Sequence, residues 1–331
     1  MKVLVTGGAG YIGSVVAAEL LQAGHRVVVF DNLCRGHRQA VPENAELVVG
    51  DLADRGGLDQ LFRSHGFEGV LHFAAFIEAG ESMKDPATFF RNNTANALNL
   101  LEAMLAAGVK RFVFSSTAAL YGNPERTPIE EDDALRPTNA YGESKLLVER
   151  MLAWFHQIHG LRYASLRYFN AAGASRPDHG EAHQPESHLI PRILQVALGR
   201  AQHVNIFGSD YPTSDGTCVR DYIHVGDLAR AHLLALEALE KAAEDGSRLI
   251  YNLGNGQGFS VREVVEVARQ VTGHAIPVIE SPRRSGDPAV LIASSEKIRR
   301  ELGWQPKFPD LKTIVESAWQ WHRSHPDGYA K

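Results

Sequence analysis

The sequence predicts an α/β fold: a doubly wound parallel sheet with a smaller, interleaved α/β domain. Three observations carry that expectation. Short β-branched or apolar runs alternate with longer helical patterns across the first half of the chain, as strands wrapped by helices do. A glycine-rich turn follows the first run at once. The 331 residues also exceed what one core usually holds, so a second domain is expected.

The strands predicted are Val3–Thr6, Arg26–Phe30, Glu46–Val49, Val70–Phe73, Phe112–Ser115 and Tyr163–Arg167. Helices fall at Ile12–Ala23, Leu58–Ser64, Pro86–Ala107 and Tyr141–His159, with Gly24, Gly108 and Gly160 as carboxyl-terminal caps. After Phe169 the alternation loosens. Gly173–Ser187, rich in His, Glu and Pro, reads as a loop over the carboxyl edge of the sheet, where substrate loops of such folds lie. Elements return at Ile250–Leu253, in a helix Val261–Thr272 and in a closing helix Leu311–His322. The division expected is therefore residues 1–170 for the first domain, with returning segments near 220–255, and mainly residues 171–331 for the second.

Composition narrows the function classes. With 34 Lys and Arg against 39 acidic residues, a net charge of -5, the chain is not built as a general binder of nucleic acid or anionic membrane. Cys34 and Cys218 show no metal-ligand spacing and fit a reducing compartment. The first strand starts too early for a signal peptide to precede it, and Glu19 and Glu237 interrupt the two most apolar runs, so a cytoplasmic protein is expected.

The turn Thr6-Gly7-Gly8-Ala9-Gly10-Tyr11-Ile12-Gly13 ends a predicted strand and opens a predicted helix. That context turns a weak glycine pattern into a dinucleotide site, because glycines let a pyrophosphate approach the backbone and the helix start favours an anion. Asp31 ends the second strand about 20 residues on, where a carboxylate accepts from ribose hydroxyls and repels a 2′-phosphate, so NAD is favoured over NADP. Asp51 follows the third strand; it reads either as an adenine-edge residue or as the N-cap of a helix beginning at Leu52.

Tyr141 and Lys145 stand four residues apart at the start of a predicted helix, hence on one face. A phenol titrates near ~10 in water, and a fixed cation beside it favours the phenolate, a general base. The pair follows the strand ending Ser115-Ser116-Thr117, whose hydroxyls can bond a substrate hydroxyl and share in proton transfer.

These motifs, together with His72-Phe73-Ala74, Tyr121-Gly122, Leu166-Arg167-Tyr168-Phe169-Asn170, Val219-Arg220-Asp221-Tyr222-Ile223-His224-Val225 and Arg283-Arg284-Ser285-Gly286-Asp287, make the chain resemble the UDP-glucose 4-epimerase family of extended short-chain dehydrogenases/reductases. The resemblance runs from the first strand to the end of the chain. It implies an NAD-binding Rossmann domain in which Gly7, Gly10, Tyr11, Ile12, Gly13, Asp31, Asn32, Asp51, Leu52, Phe73, Ala74, Asn92, Ser115, Tyr141, Lys145, Tyr168 and Phe169 meet the cofactor. It implies catalysis by Tyr141, Lys145 and Thr117, and a UDP-hexose held by Thr117, Asn170, His188, Leu189, Asn205, Phe207, Arg220, Tyr222, Arg284, Asp287 and Leu291. The implied reaction interconverts UDP-galactose and UDP-glucose through a 4-keto intermediate, with tightly bound NAD as a transient hydride store, in a homodimer paired through the long helices Pro86–Ala107 and Tyr141–His159.

Three positions depart from the family. Ile77 replaces a lysine near the cofactor phosphates, and His188 replaces an asparagine that meets the substrate phosphate. Leu291 replaces a bulky tyrosine, which widens the sugar pocket toward UDP-GlcNAc and UDP-GalNAc. The loose spacing of His179, His183 and His188, and a chemistry that needs no metal, lead to the expectation of none. The competing functions are a hexuronate epimerase or decarboxylase of the same family and a non-catalytic NAD-binding scaffold. A 4,6-dehydratase is disfavoured because Ala118-Ala119 follow Thr117 where that chemistry needs an Asp-Glu pair.

Overall fold

In the computed structural model, which describes residues 1–241, 247–284 and 286–329, the chain forms two compact units. Ser285, part of the arginine motif quoted above, lies outside the described residues. The first unit comprises Met1–Gly122, Leu135–Arg167 and Ala229–Tyr251; the second comprises Asn123–Ala134, Tyr168–Leu228 and Asn252–Lys331.

The seven-stranded sheet runs, from one edge, through the strand Arg248–Leu253, β6 (Arg162–Tyr168), β5 (Arg111–Thr117), β4 (Gly69–His72), β1 (Lys2–Thr6), β2 (Arg26–Asp31) and β3 (Glu46–Val49). β1 pairs in parallel with β2, from Lys2↔Arg26 to Thr6↔Phe30, and with β4, from Val3↔Gly69 to Thr6↔His72. Val3, Leu4 and Val5 are fully buried, as a central parallel strand covered on both faces requires. Strand order reverses at β1: the next strand, β2, lies on one side of it and β4 on the other. At such a reversal the loops leaving the carboxyl ends run to opposite faces, which is where sheets of this kind bind ligands. Leu58, Leu61, Phe62, Leu100, Leu101 and Met104 of the helices pack with Leu4, Val28, Val70 and Phe112 of the strands in one apolar core.

The predicted helix Pro86–Ala107 is divided in the structure. An α-helical turn Pro86–Phe89, capped by the Asp85 carboxylate, runs into a π-helical stretch Phe90–Ala95 and then the α-helix Asn96–Ala106. Periodicity does not reveal such a bulge, because one inserted residue leaves the apolar pattern on either side nearly unchanged.

In the second unit the helices Leu189–Ala197, Val261–Thr272 and Leu311–Ser324 bury Ile193, Leu194, Val264, Val265, Ile314 and Val315 together. Ser260 begins the middle helix with a capping box, accepting from Glu263 N while the Glu263 carboxylate accepts from Ser260 N. Short parallel pairs, Asn170–Ala172 with Tyr222–His224 and Val204–Phe207 with Val278–Ser281, complete the unit beside a three-stranded patch centred on Val219–Arg220. The stretch predicted as a loop at Gly173–Ser187 contains no helix or strand.

Candidate active site

The glycine turn leaves β1 for the helix α1 (Tyr11–Gln22), and its three fingerprint glycines differ in what requires them. Gly7 has φ +72, and a Cβ there would lie 2.5 Å from Ala74 N; at Gly13 it would lie 2.3 Å from Gly7 O. Both positions are closed by the protein's own packing. At Gly10 the nearest heavy atom to a Cβ is Gly7 O at 3.3 Å, so the protein itself nearly admits a side chain. Gly10 is also the N-cap of α1, with no side-chain cap and no acidic residue in the first turn. The start of α1 therefore presents backbone N–H groups and the positive end of its dipole at a place kept clear of side chains, a cradle for a phosphate.

Asp31 closes the same turn. Its carboxylate accepts from Ala9 N at 3.0 Å and Leu33 N at 2.8 Å; burial raises its pKa and these two bonds oppose the rise. Lone pairs remain for a ribose, since an ionised carboxylate has about four acceptor sites. Asn32 donates to Asp51 at 2.7 Å, and Asp51 also accepts from Ala53 N. Asp51 is not a helix cap: the helix Arg55–His65 is capped by Asp54, which accepts from Gly57 N. The Leu52 side chain is buried in the core, so what it offers a ligand is backbone. Phe73 N and Ala74 N both donate to Thr6 O, tying the loop after β4 to the end of β1.

The catalytic trio assembles at the end of β5. Asn139 caps the helix Ala140–His159 by accepting from Gly142 N, and Ser82 Oγ accepts from Tyr141 N. Gly142 lets this first turn approach the chain after Thr117 closely, because a Cβ there would meet Ala119 O at 2.7 Å. Tyr141 is thereby hydrogen-bonded to Thr117; burial raises its pKa and the Thr117 bond lowers it. Lys145, 2% exposed, donates to Ser115 O at 2.8 Å with its ammonium 4.9 Å from the Phe114 ring centroid. Burial lowers its pKa to about 7. His72 is fully enclosed against Thr6, and burial together with Lys145 lowers it to about 3, so it is neutral.

In the second unit Arg220 is 8% exposed and bonds Asp287 Oδ1 at 2.5 Å. The adjacent Asp221 is spent elsewhere, accepting from Asn255 N, Gly256 N and Ala293 N, with burial raising it to about 6. Arg283 bonds Asp210 and covers the Tyr211 ring. Arg284 instead lays its guanidinium 4.0 Å over the Phe207 ring and has no carboxylate partner among the described residues. Asn205 and Phe207 share the less buried face of their strand. Leu291 pairs opposite Arg220 and is half-buried. Asn170 donates its N–H to Asp221 O. Tyr222 is buried in the apolar core with Leu189 packed against it, Phe169 is buried, and Tyr168 is half-buried. His188 precedes the helix Leu189–Ala197, its Nδ1 2.5 Å from Glu181 Oε1.

A model of the NAD dependent epimerase/dehydratase family matches residues 3–254. The chain belongs to that family. The UDP-glucose 4-epimerase of Halalkalibacterium halodurans is 55% identical over 331 residues, 100% of this chain and 98% of its own. A crystal structure of a UDP-glucose 4-epimerase superposes with TM-score 0.96 at 50% identity over 100% of both chains. The Bifidobacterium longum UDP-glucose 4-epimerase in complex with NAD+ and UDP gives TM-score 0.94 at 35% identity, over 99% of this chain and 100% of its own. The doubly wound sheet is the fold of this family.

Two supporting residues had no signal in the sequence. Asn93, not the adjacent Asn92, is the buried amide of the π-helical stretch: it accepts from Phe76 N and donates to Phe76 O and Ser144 Oγ, beneath the turn that carries Tyr141. Asn92 is half-buried and donates to Asn93. Glu149 sits one turn beyond Lys145, buried, accepting from Ser116 Oγ at 2.6 Å and pairing with Arg167 at 2.6 Å. Arg167 also donates to Tyr121 Oη. Ser116 thus serves the scaffold, while Thr117 meets the tyrosine.

Proposed function

We propose that the chain is a UDP-glucose 4-epimerase, an NAD-dependent isomerase that interconverts UDP-galactose and UDP-glucose. The observation that carries this reading is Tyr141 hydrogen-bonded to Thr117 while Lys145 is pinned to Ser115 O. The cradle at Gly10, the uncapped start of α1 and Asp31 fit NAD, which when bound supplies a hydride acceptor that returns the same hydride, so no net oxidation results. Tyr141 takes the proton of the sugar 4-hydroxyl as the 4-keto sugar forms and gives it back on reduction from the other face. Thr117 bonds that oxygen and orients it. Lys145 stabilises the phenolate.

Arg220 and Arg284 anchor the diphosphate and Phe207 offers a face for uracil stacking, while His188 adds a donor. Strong contacts on the nucleotide and few on the hexose leave the sugar free to present both faces. Leu291 extends the range to UDP-GlcNAc and UDP-GalNAc; turnover of UDP-galactose but not UDP-GalNAc by Leu291→Tyr, and of both by the wild type, is the expected profile. We place the protein in the cytoplasm on its free cysteines, Cys34 and Cys218. Among the described residues no helix is long and apolar enough to cross a membrane. A homodimer is supported by Trp154 and Ile158, 62% and 65% exposed and one turn apart on the helix Ala140–His159.

The test is conversion of UDP-galactose to UDP-glucose by the purified chain without added cofactor. Tyr141→Phe should lose about 10²–10⁴-fold in kcat while remaining folded. Unchanged turnover in that variant would refute the reading.

A further inference from the structure

The loop Gly173–Ser187 and the residue after it bring together a cluster of which the proposed epimerase uses only His188. Glu181, His183, Glu186 and His188 each place one donor atom within 4.8 Å of all the others. His183 Nδ1 lies 3.1 Å from Glu181 Oε1 and 3.7 Å from Glu186 Oε2; His188 Nδ1 lies 2.5 Å from Glu181 Oε1 and 3.6 Å from Glu186 Oε1. A tetrahedral zinc with bonds of about 2.0–2.1 Å separates its ligands by about 3.3 Å, so small side-chain shifts, chiefly the opening of the His188–Glu181 hydrogen bond, would bring one atom of each residue to that spacing. Two imidazoles and two carboxylates are a donor set that zinc takes, and with both imidazoles neutral the carboxylates balance its charge.

Two further features belong to a coordination site. Both carboxylates are withdrawn from solvent, the Glu181 and Glu186 side chains being 4% and 5% exposed, where two like charges side by side need positive charge, supplied by two imidazoliums or by a metal ion on two neutral imidazoles. Glu186 Oε1 accepts from Ser187 N at 2.7 Å and His188 N at 2.8 Å, an outer shell that fixes this carboxylate with Oε2 turned to His183.

We infer that Glu181, His183, Glu186 and His188 form a structural zinc site that pins this loop to the start of the helix Leu189–Ala197. Spacing alone did not enlist the two glutamates, because only folding turns them onto the histidines. Coordination through Nδ1 of His188 would leave its proton on Nε2, presenting a fixed N–H donor; that consequence rests on the diphosphate role proposed above, whereas metal binding does not.

The experiment uses the full chain without a histidine tag, equilibrated with Zn2+ alone, desalted, and analysed for zinc by mass spectrometry beside His183→Ala, Glu186→Gln and the exposed control His274→Ala. One zinc per chain is expected in the wild type and in the control, with loss in both site variants and a lowered melting temperature when the wild type is stripped by a chelator. Co2+ in place of Zn2+ should give the intense visible absorption of a tetrahedral site. A folded wild type that retains no zinc, or site variants that retain as much as the wild type, would overturn the site. Should one variant fail to fold, the other variant and the chelator shift still decide. Epimerisation is measured separately, so an inactive chain that holds zinc would count against the catalytic reading and leave the site standing.

Discussion

Replacing Lys145 by Met should move the pH dependence of turnover by an amount the structure sets. Tyr141 and Lys145 are one helical turn apart, which places such side chains about 6 Å from each other. At an effective dielectric of about 20, a unit charge at that distance favours the phenolate by about 3 kcal/mol, or about 2 pH units of phenol ionisation. Lys145 is held in place by Ser115 O at 2.8 Å, so little of that is lost to side-chain motion. Burial of both groups opposes their charging when each is taken alone, and ionisation of Tyr141 in turn favours the charged ammonium. Lys145→Met should therefore move the acidic limb of the kcat profile up by about 2 pH units and slow turnover near neutrality about 100-fold. At alkaline pH the variant should approach the wild type. The assay follows UDP-glucose formed from UDP-galactose across pH, with bound NAD checked by absorbance in each preparation. A variant whose limb stays within about half a pH unit of the wild type would refute the electrostatic role.

Three further outcomes follow from the same geometry. His72 titrates at about 3 in the fold against about 6.5 in an unfolded chain, so its contribution is complete above pH 6.5 and is lost as pH falls toward 3. Between about pH 7 and 5 that loss is about 2 kcal/mol, which urea denaturation of wild type and His72→Asn should show as a shallower pH slope in the variant; equal slopes would refute it. Gly13→Ala should be unable to form the turn without displacing backbone, whereas Gly10→Ala should match the melting temperature of NAD-free wild type yet lose NAD on purification; full NAD retention by Gly10→Ala would mean that no ligand approaches there. Glu149→Gln leaves Arg167 buried beside a neutral amide and should cost about 3–5 kcal/mol in equilibrium unfolding, while a change within about 1 kcal/mol would show that the ion pair contributes little.

The elements and their chemistry were legible where the information is local. β1, the glycine turn and α1 are contiguous; Asp31 ends the strand beside them; Tyr141 and Lys145 are one turn apart on one helix. Period, caps and short spacing encode such features because backbone hydrogen bonding and side-chain direction act over a few residues. Partner choice was not legible. Arg220 pairs with Asp287, 67 residues away, and not with the adjacent Asp221, whose carboxylate accepts from backbone amides of two distant segments. Arg283 and Arg284 are neighbours in sequence, yet one meets Asp210 and Tyr211 and the other Phe207. The burial of Asn93 depends on the π-helical stretch, and Glu149 depends on Arg167 and Ser116 arriving from adjacent strands. By itself, then, the sequence determined the succession of strands and helices and the types of group at the reacting end of β5. Only the tertiary structure decided which charges are paired, which glycine leaves room for a ligand, and that two glutamates join two histidines, because each depends on side-chain directions converging from separate segments.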